Sequence, residues 1–358
     1  MSTQILLGSG EQPGELVYFR RIRSGDFGTR ECVASFFRVP GAFMKTKAMF
    51  AIMWCLFGSA LTLSRATGQQ QPPAEKQTTA SYIPGVVAAG TKVERVWTGL
   101  QAADGLISEP DGTLLLPEQR ANRISRFDKN GKITLYLEDT NEAGGIAIDP
   151  KGRVIAVERN MPPRVRVLAP ARNVLVDTFE GKPLQRLADI VGDRKGGVYF
   201  TEGPNSSVYY ISPGGQVTRV AADIQGANGI MLSPDDRTLY VTNSAAGILA
   251  YDVQPDGSIR NRRPFVKPEG GQDGLAIDAA GRLYVASQIG IQLFSPQGQH
   301  LGLIPTPRPT TTLAFAGPDK KTLYVIGRGN DGPGGDGPDA RSMYKISMLA
   351  EGFKGRAK

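Results

Sequence analysis

Gln272-Asp273-Gly274-Leu275-Ala276-Ile277-Asp278-Ala279-Ala280-Gly281-Arg282-Leu283-Tyr284-Val285-Ala286 is the stretch that decides the fold class. It predicts a β-strand, a tight turn at Ala280-Gly281 and a second strand, because turn residues separate two apolar runs. The same pattern occurs six times, and its second residue falls at positions 105, 145, 189, 229, 274 and 312. A period of about 40 residues is typical of propeller blades.

Each repeat continues beyond this hairpin with further strand-like runs, and four antiparallel strands make a propeller blade. The sixth repeat supplies only the run from Met343 to Ser347 after its hairpin. The run from Lys92 to Trp97, before the first repeat, is therefore expected to complete that blade and to remove its open edge. We predict an all-β fold over residues 91–348, a six-bladed β-propeller closed by an N-terminal strand in the last blade. A jelly roll is the alternative that the pattern leaves open.

The residues before the repeats have the order of an exported precursor. Lys45 and Lys47 precede an uncharged run over residues 48–63, and Ala66 and Gly68 are small at the positions that a signal peptidase reads. The uncharged run is shorter than the roughly 20 apolar residues of a membrane span. We therefore expect a signal peptide, a periplasmic or secreted protein, and no stable membrane span after cleavage.

The expected segments follow from these observations. Residues 1–43 show no sustained period, which predicts no fold for them, and we expect them to be an over-extended gene start. Residues 44–68 are the expected signal peptide, residues 69–90 a Gln- and Pro-rich linker, residues 91–348 the propeller, and residues 349–358 a C-terminal tail.

Composition narrows the function classes. Cys32 and Cys55 both precede the expected cleavage point, so disulfide and thiol chemistry are excluded from the mature domain. The net charge of +8 is uneven, since residues 1–89 hold nine Lys/Arg against five Asp/Glu and the remainder holds 33 against 29, interspersed. The sequence therefore shows no stripe of basic residues of the kind that binds nucleic acid. His300, the single histidine, lies in an outer turn, which argues against a Ser-His-Asp triad or a His-ligated zinc site.

Oxygen-donating side chains recur at one position of the repeat. The first strand of a propeller blade is innermost, so the first residue of each copy is expected at the rim of the central channel. Asp104, Asn228 and Asp273 hold this position in the first, fourth and fifth copies. Two carboxylates and an amide oxygen suit a hard divalent cation, with calcium favoured and magnesium, manganese or zinc as alternatives. Taken singly, Asp-Gly and Asn-Gly are also common turn pairs.

These residues resemble the gluconolactonase and regucalcin-like lactonases, the SMP-30/gluconolactonase/LRE-like family of six-bladed propellers with a divalent metal in the channel. The resemblance covers roughly residues 93–346. The matching motifs are Asp104-Gly105 for the family's Glu-Gly, Asn228-Gly229-Ile230-Met231-Leu232-Ser233-Pro234-Asp235 for its Asn-Gly-Leu-x-Phe-Ser-Pro-Asp, and Asp273-Gly274-Leu275-Ala276-Ile277-Asp278 for its Asp-Gly-(Leu/Met)-x-(Val/Ile)-Asp. The resemblance implies that Asp104, Asn228 and Asp273 bind the metal and that Asp273 is also the catalytic base. Asp104 is shorter than the family's Glu, and Ala188 stands where the family has an Asn.

The function that the resemblance implies is a secreted, metal-dependent hydrolysis of a lactone, a sugar-acid lactone or a related ester. The metal would polarise the carbonyl, and Asp273 would help to remove a proton from the attacking water. Substrate contacts are expected from the loops joining second and third strands, at Arg120, Arg159, Glu202 and Asn243. Either arginine could pair with a substrate carboxylate.

Two alternatives remain open from the sequence. One is a non-catalytic propeller that binds a partner or a carbohydrate. The other is a metal-independent propeller similar to strictosidine synthase, which would make no use of the three oxygen donors.

Overall fold

The computed structural model describes residues 5–9, 16–20, 78–329 and 339–356. The chain divides into two compact units, residues 1–67 and 68–358. In the first unit Ile5–Ser9 (β1) and Leu16–Arg20 (β2) pair as an antiparallel hairpin. The expected signal peptide, residues 44–68, lies outside the described residues. Within the described part, a helix long and apolar enough to traverse a bilayer is absent.

The second unit begins with Glu94–Gln101 (β3) and continues into the first three blades. Blade 1 contains Ile107–Ser108 (β4), Leu114–Glu118 (β5), Arg123–Phe127 (β6) and Ile133–Glu138 (β7), with a 3-10 turn at Gln119–Ala121. Blade 2 contains Ala143–Ile148 (β8), Val154–Glu158 (β9), Arg164–Ala169 (β10) and Asn173–Val176 (β11). A small hairpin of Thr178–Phe179 (β12) and Lys182–Pro183 (β13) leads to blade 3, which contains Leu187–Gly192 (β14), Val198–Glu202 (β15), Ser207–Ile211 (β16) and Val217–Ala221 (β17).

The remaining blades follow the same order. Blade 4 contains Ile230–Leu232 (β18), Thr238–Asn243 (β19), Gly247–Val253 (β20) and Ile259–Val266 (β21). Blade 5 contains Leu275–Ile277 (β22), Leu283–Ser287 (β23), Gly290–Phe294 (β24) and His300–Ile304 (β25). Blade 6 contains Thr310–Ala316 (β26), Thr322–Arg328 (β27) and Ala340–Ser347 (β28). Six separate four-stranded sheets in the described part of the second unit confirm the predicted six-bladed propeller.

Blade 6 takes its fourth strand from the start of the second unit. Glu94–Gln101 pairs antiparallel with Ala340–Ser347, and Trp97 lies opposite Met343. The observed strand begins and ends later than the run of residues 92–97 in which the sequence placed it. The last blade therefore has four strands like the other five, and its third strand has a partner on both sides.

Burial decreases from the channel outward within each blade. In blade 3 every residue of Val198–Glu202 and Ser207–Ile211 is buried, whereas Val217–Ala221 is half-buried or exposed. Inner strands pack against neighbouring blades on both faces, which favours β-branched and aromatic residues at every position. The rings of Phe200 and Tyr209, for example, stack with their centroids 5.1 Å apart.

The structure differs from the prediction of a linker over residues 69–90 in the second half of that segment. Residues 78–90 pack on the propeller through the bridges Thr79 to Lys92 and Ile83 to Val87. Val86 and Val87 are fully buried in the apolar cluster that contains Tyr284 of blade 5. Apolar side chains in an otherwise polar segment therefore cover the ring, because leaving them in water is unfavourable. Residues 69–77 lie outside the described part of the chain.

The segment expected as a C-terminal tail also packs on the ring, at the turns that join first and second strands. The Ala279 N–H donates to the carbonyl of Glu351 at 2.8 Å, and Gly352 forms a β-bridge with Asp278. Arg356 is 8 % exposed and donates to the carboxylate of Asp236 at 2.8 Å. These turns lie at the opposite end of the blades from the rim positions that begin the first strands.

Candidate active site

The glycines of the repeated Asp-Gly and Asn-Gly pairs allow the innermost strands to approach one another. A Cβ atom on Gly229 would lie 2.3 Å from the backbone oxygen of Asp273 in the next blade. Gly105 has a φ of +60°, and a Cβ there would lie 2.3 Å from the backbone oxygen of Gly144. These two glycines are thus required by contact between blades. The residues that precede them are brought close to the channel axis as a result.

A cavity of about 550 Å³ opens at the rim end of the channel. Asp104, Asn228 and Asp273, the three residues predicted to bind metal, all line it. The side-chain amide of Asn228 donates to Oδ1 of Asp273 at 2.8 Å. The backbone at both residues is fixed, since the Thr201 hydroxyl donates to the carbonyl of Asn228 at 2.6 Å and the Asp273 N–H donates to that of Ala286 at 2.9 Å.

Each of the two carboxylates has an arginine partner. Nη2 of Arg159 lies 3.1 Å from Oδ2 of Asp104, and Nη2 of Arg328 lies 3.3 Å from Oδ2 of Asp273. The Arg159 side chain is 20 % exposed and the Arg328 side chain 58 %. Arg159 is therefore held in place, whereas Arg328 has room to turn toward solvent.

Small residues around Arg159 make room for its guanidinium. A Cβ on Gly144 would lie 2.4 Å from the guanidinium carbon. The guanidinium also donates to the backbone oxygens of Leu187, at 3.0 Å, and Ala188. Ala188, where the sequence departs from the asparagine of the family that it resembles, thus contributes a backbone acceptor for Arg159.

The carboxyl group of Asp273 titrates well above its ordinary range. Burial, and next the negative charge of Asp104, raise the pKa of Asp273 to about 7. The positive charges of Arg328 and Arg159 act in the opposite direction without cancelling this rise. A carboxyl with a pKa near neutrality is suited to accept a proton at physiological pH.

The donor set fits a hard divalent cation. Asp104 and Asp273 repel each other across the cavity wall, and a cation between them would relieve that repulsion. Among the described residues, no group of three His, Cys, Asp or Glu side chains forms a metal site, so an amide oxygen from Asn228 is needed as a third ligand. Arg159 competes with a cation for Asp104, because its guanidinium already occupies one carboxylate oxygen.

Two of the four predicted substrate contacts line the cavity, and two do not. Arg120 and Arg159 line it. Glu202 is buried and accepts hydrogen bonds from the Gln185 N–H and, at 2.8 Å, from the Tyr209 hydroxyl. We therefore correct the assignment of Glu202 to substrate binding, because its carboxylate is committed to the protein interior.

Asn243 is corrected in the same way. It is 3 % exposed, and its side-chain oxygen accepts the backbone N–H groups of Ala245 at 3.0 Å and Ala246 at 2.7 Å. These two hydrogen bonds stabilise the turn after the strand. They occupy the side-chain oxygen of Asn243, which is therefore not directed at the cavity.

Strand register explains both errors. Glu202 and Asn243 are each the last residue of the second strand of a blade, a position that is buried in the first five blades. The residue after this position lines the cavity in blades 1 to 3, where it is Gln119, Arg159 and Gly203 respectively. Blade 6 differs, because its last strand residue, Arg328, is itself exposed and lines the cavity.

The sequence interpretation missed three charged residues of the cavity wall, Arg186, Arg341 and Asp339. Arg186 lies two residues before the rim position of blade 3, so the repeat register could have indicated it. Arg341 lies at the start of the last strand and Asp339 immediately precedes that strand, both outside any repeated motif. Their position depends on how the final blade closes the ring.

The comparisons with known proteins agree on one family. Residues 102–327 match the model of the SMP-30/Gluconolactonase/LRE-like region. A gluconolactonase of Zymomonas mobilis is 25 % identical over 285 residues, which cover 67 % of this chain and 80 % of the relative. Pentonolactonase XacC of Haloferax volcanii is 27 % identical over 281 residues, covering 71 % and 94 %. The solved structure of regucalcin from Agrobacterium tumefaciens, described as a calcium-binding protein, shares the fold with a TM-score of 0.59 at 19 % identity, over 73 % of this chain and 97 % of that one.

Proposed function

The chain belongs to the SMP-30/gluconolactonase/LRE-like family, and from this premise we propose that it hydrolyses a lactone or a closely related ester. Relatives that are named gluconolactonase and pentonolactonase support a lactone as the substrate class. The observation that carries the proposal is the position of the Asp273 carboxyl at the wall of the channel cavity, where the side-chain amide of Asn228 donates to it at 2.8 Å and Asp104 lines the same cavity.

Asp273 acts in this proposal as the general base. Its ionised carboxylate takes a proton from a water molecule as that water attacks the lactone carbonyl. The ring carbon–oxygen bond then breaks, the ring oxygen takes up the proton, and a hydroxy acid is released. Asn228 keeps the base in position through its 2.8 Å hydrogen bond.

Asp104, Asn228 and Asp273 are the residues that would hold a divalent cation, with calcium favoured. When bound, the cation supplies Lewis-acid polarisation of the lactone carbonyl. The oxygen donor set and the described calcium binding of the related regucalcin support this choice.

The proposed function is tested by measuring hydrolysis of D-glucono-1,5-lactone, a pentonolactone and an aryl ester. The release of acid is the quantity that is monitored. The protein is assayed after treatment with EDTA and again with calcium, magnesium, manganese or zinc. Asp273→Asn is expected to lower kcat by about 100-fold or more, because general-base catalysis contributes on that scale. Glu180→Gln, at a side chain 67 % exposed and outside the cavity wall, is the matched control.

Two outcomes contradict the proposal in different ways. Full activity of Asp273→Asn shows that another group removes the proton. Lack of hydrolysis of every lactone and ester, with or without metal, overturns the enzyme and favours the alternative of a propeller that only binds.

We further propose that the protein is exported. The order of charged, uncharged and small residues over positions 44–68 supports a cleaved signal peptide. N-terminal sequencing of the protein from its native host should find a start near Gln69. A retained Met1 in the cytosolic fraction contradicts export.

A further inference from the structure

The wall of the candidate active site carries an excess of positive charge. Among the described residues, five arginines and three aspartates line the cavity, an imbalance of two charges. A cavity with this potential attracts an anionic ligand and lowers the free energy of its bound state.

Part of this charge is already compensated within the wall. Arg159 is paired with Asp104 at 3.1 Å, Nε of Arg120 lies 3.3 Å from Asp339, and Arg328 lies 3.3 Å from Asp273. Arg186, across the cavity in blade 3, makes no side-chain hydrogen bond or ion pair with the described residues, and it is exposed. The compensation is therefore incomplete.

Blade 6 brings two arginines to the same part of the wall. Arg328 ends β27, and Arg341 is the second residue of the neighbouring strand β28 directly opposite it in the pairing register. Burial, and next the positive charge of Arg328, lower the pKa of Arg341. Two guanidiniums that repel each other at a cavity wall are stabilised by an anion between them, and planar guanidiniums bind carboxylate and phosphate oxygens in pairs.

The distance from this pair to the proposed base limits what the anion can be. Arg328 also contacts Asp273 at 3.3 Å, so an anionic group on Arg328 and Arg341 lies within one small molecule's length of the base. The anionic group and the reacting carbonyl therefore belong to the same compact substrate. We propose that the substrate is an anionic lactone, whose carboxylate or phosphate group is bound by Arg328 and Arg341 while Asp273 acts at the lactone carbonyl.

This inference rests on the proposed lactone hydrolysis and goes beyond it, because the lactones of simple sugars are neutral. Arg341 is assigned a substrate-binding role that the sequence did not indicate. Arg186, on the opposite wall, adds to the cavity potential without belonging to the anion subsite.

Two pairs of lactones test the proposal, since the members of each pair differ only at C6. D-Glucono-1,5-lactone is compared with its 6-phosphate, and D-glucono-1,4-lactone with D-glucaro-1,4-lactone, which carries a carboxylate. We expect kcat/KM for at least one anionic member to exceed that of its neutral partner by about tenfold or more, mainly through KM. Which pair shows the preference distinguishes phosphate from carboxylate. The preference should decrease between about 50 and 500 mM salt, because screening weakens charge pairing.

Variants of Arg341 locate the anion subsite. Arg341→Gln should lower kcat/KM for the preferred anionic lactone by about tenfold and change that for the neutral partner by less than about twofold, and Arg341→Lys should restore part of the loss. Arg237 lies in a turn at the opposite end of blade 4, with its side chain 84 % exposed. Arg237→Gln should therefore leave kcat/KM unchanged for both the anionic and the neutral lactone. If Arg341→Gln does not fold, the Lys variant and the salt dependence make the same distinction.

The outcomes separate this proposal from the proposed function. Equal hydrolysis of neutral and anionic lactones, or an equal loss for both in Arg341→Gln, overturns the anion subsite and leaves lactone hydrolysis standing. If no lactone is hydrolysed, calorimetric titration with D-glucarate and with neutral D-glucitol decides. Binding of glucarate alone that is lost in Arg341→Gln supports the subsite without the hydrolase, and failure of glucarate to bind overturns both.

Discussion

Nη2 of Arg159 lies 3.1 Å from Oδ2 of Asp104, so a fixed guanidinium already occupies a carboxylate oxygen that a bound cation would require. The same guanidinium donates to the carbonyls of Leu187 and Ala188, which keeps it from moving aside as easily as Arg328. We therefore expect the metal affinity of the proposed site to depend on competition within the protein as well as on the number of oxygen donors.

Removing this competitor should strengthen metal binding. Arg159→Gln is expected to tighten calcium binding by about tenfold, because it releases Asp104 and removes a nearby positive charge. Calorimetric titration of the EDTA-treated protein with calcium measures the change. Arg120→Gln is the matched control, since Arg120 lines the same cavity and pairs with Asp339 instead of Asp104. An equal gain in both variants would mean that only the overall potential matters, and weaker binding in Arg159→Gln would contradict the competition.

The raised pKa of Asp273 should appear in the stability of the metal-free protein. The folded pKa, about 7, lies above the unfolded value of about 3.9, so the folded state holds the proton more tightly and stability falls as pH rises from about 4 to about 7. Asp273→Asn removes this loss and should raise the free energy of unfolding at pH 8 by on the order of 3 kcal/mol. Urea denaturation in EDTA at pH 5 and pH 8 measures the difference.

Asp339→Asn is the control for the titration of Asp273, because Asp339 lines the same cavity with a side chain 49 % exposed. The control should retain the pH dependence of the unmodified protein. An Asp273→Asn protein whose stability falls between pH 5 and pH 8 as steeply as that of the unmodified protein would show that other groups dominate.

The contact between innermost strands predicts an unusual sensitivity at Gly229. Gly229→Ala would place a methyl group 2.3 Å from the backbone oxygen of Asp273, which forces the two blades apart. We expect a loss of about 1 to 3 kcal/mol in unfolding free energy, the range for an inserted methyl in a packed interior, together with weaker metal binding. Gly214→Ala is the control, since a Cβ at Gly214 meets nothing closer than 3.8 Å and should change stability by less than about 0.5 kcal/mol. Equal effects at the two glycines would refute the argument.

The corrected role of Glu202 gives a separate test. Glu202→Gln should lower the free energy of unfolding by about 1 to 3 kcal/mol, because the Gln185 N–H and the Tyr209 hydroxyl lose a charged acceptor in a buried site. KM for the best substrate should stay within about twofold of that of the unmodified protein, since the side chain does not line the cavity. Thermal unfolding and steady-state kinetics measure the two quantities. A large rise in KM without loss of stability would restore Glu202 as a substrate contact.

The six-bladed propeller could be predicted from the sequence because one strand pattern recurs with a constant period. Each copy forms its hairpin locally, and only a closed ring buries both faces of every inner strand. The repeat register also brought Asp104, Asn228 and Asp273 into one cavity wall, since equal positions in equal blades face the same axis.

The tertiary structure decided what no single repeat contains. Glu202 and Asn243 have the residue types of ligand contacts, yet both are buried at the end of a second strand, and the next residue lines the cavity only in blades 1 to 3. Arg341 reaches the wall because the final strand pairs in register beside β27, and Arg159 reaches Asp104 because Gly144 leaves space for its guanidinium. Periodicity determines which face of a strand points inward, whereas contacts between blades depend on shape and charge brought together from distant parts of the chain when the ring closes.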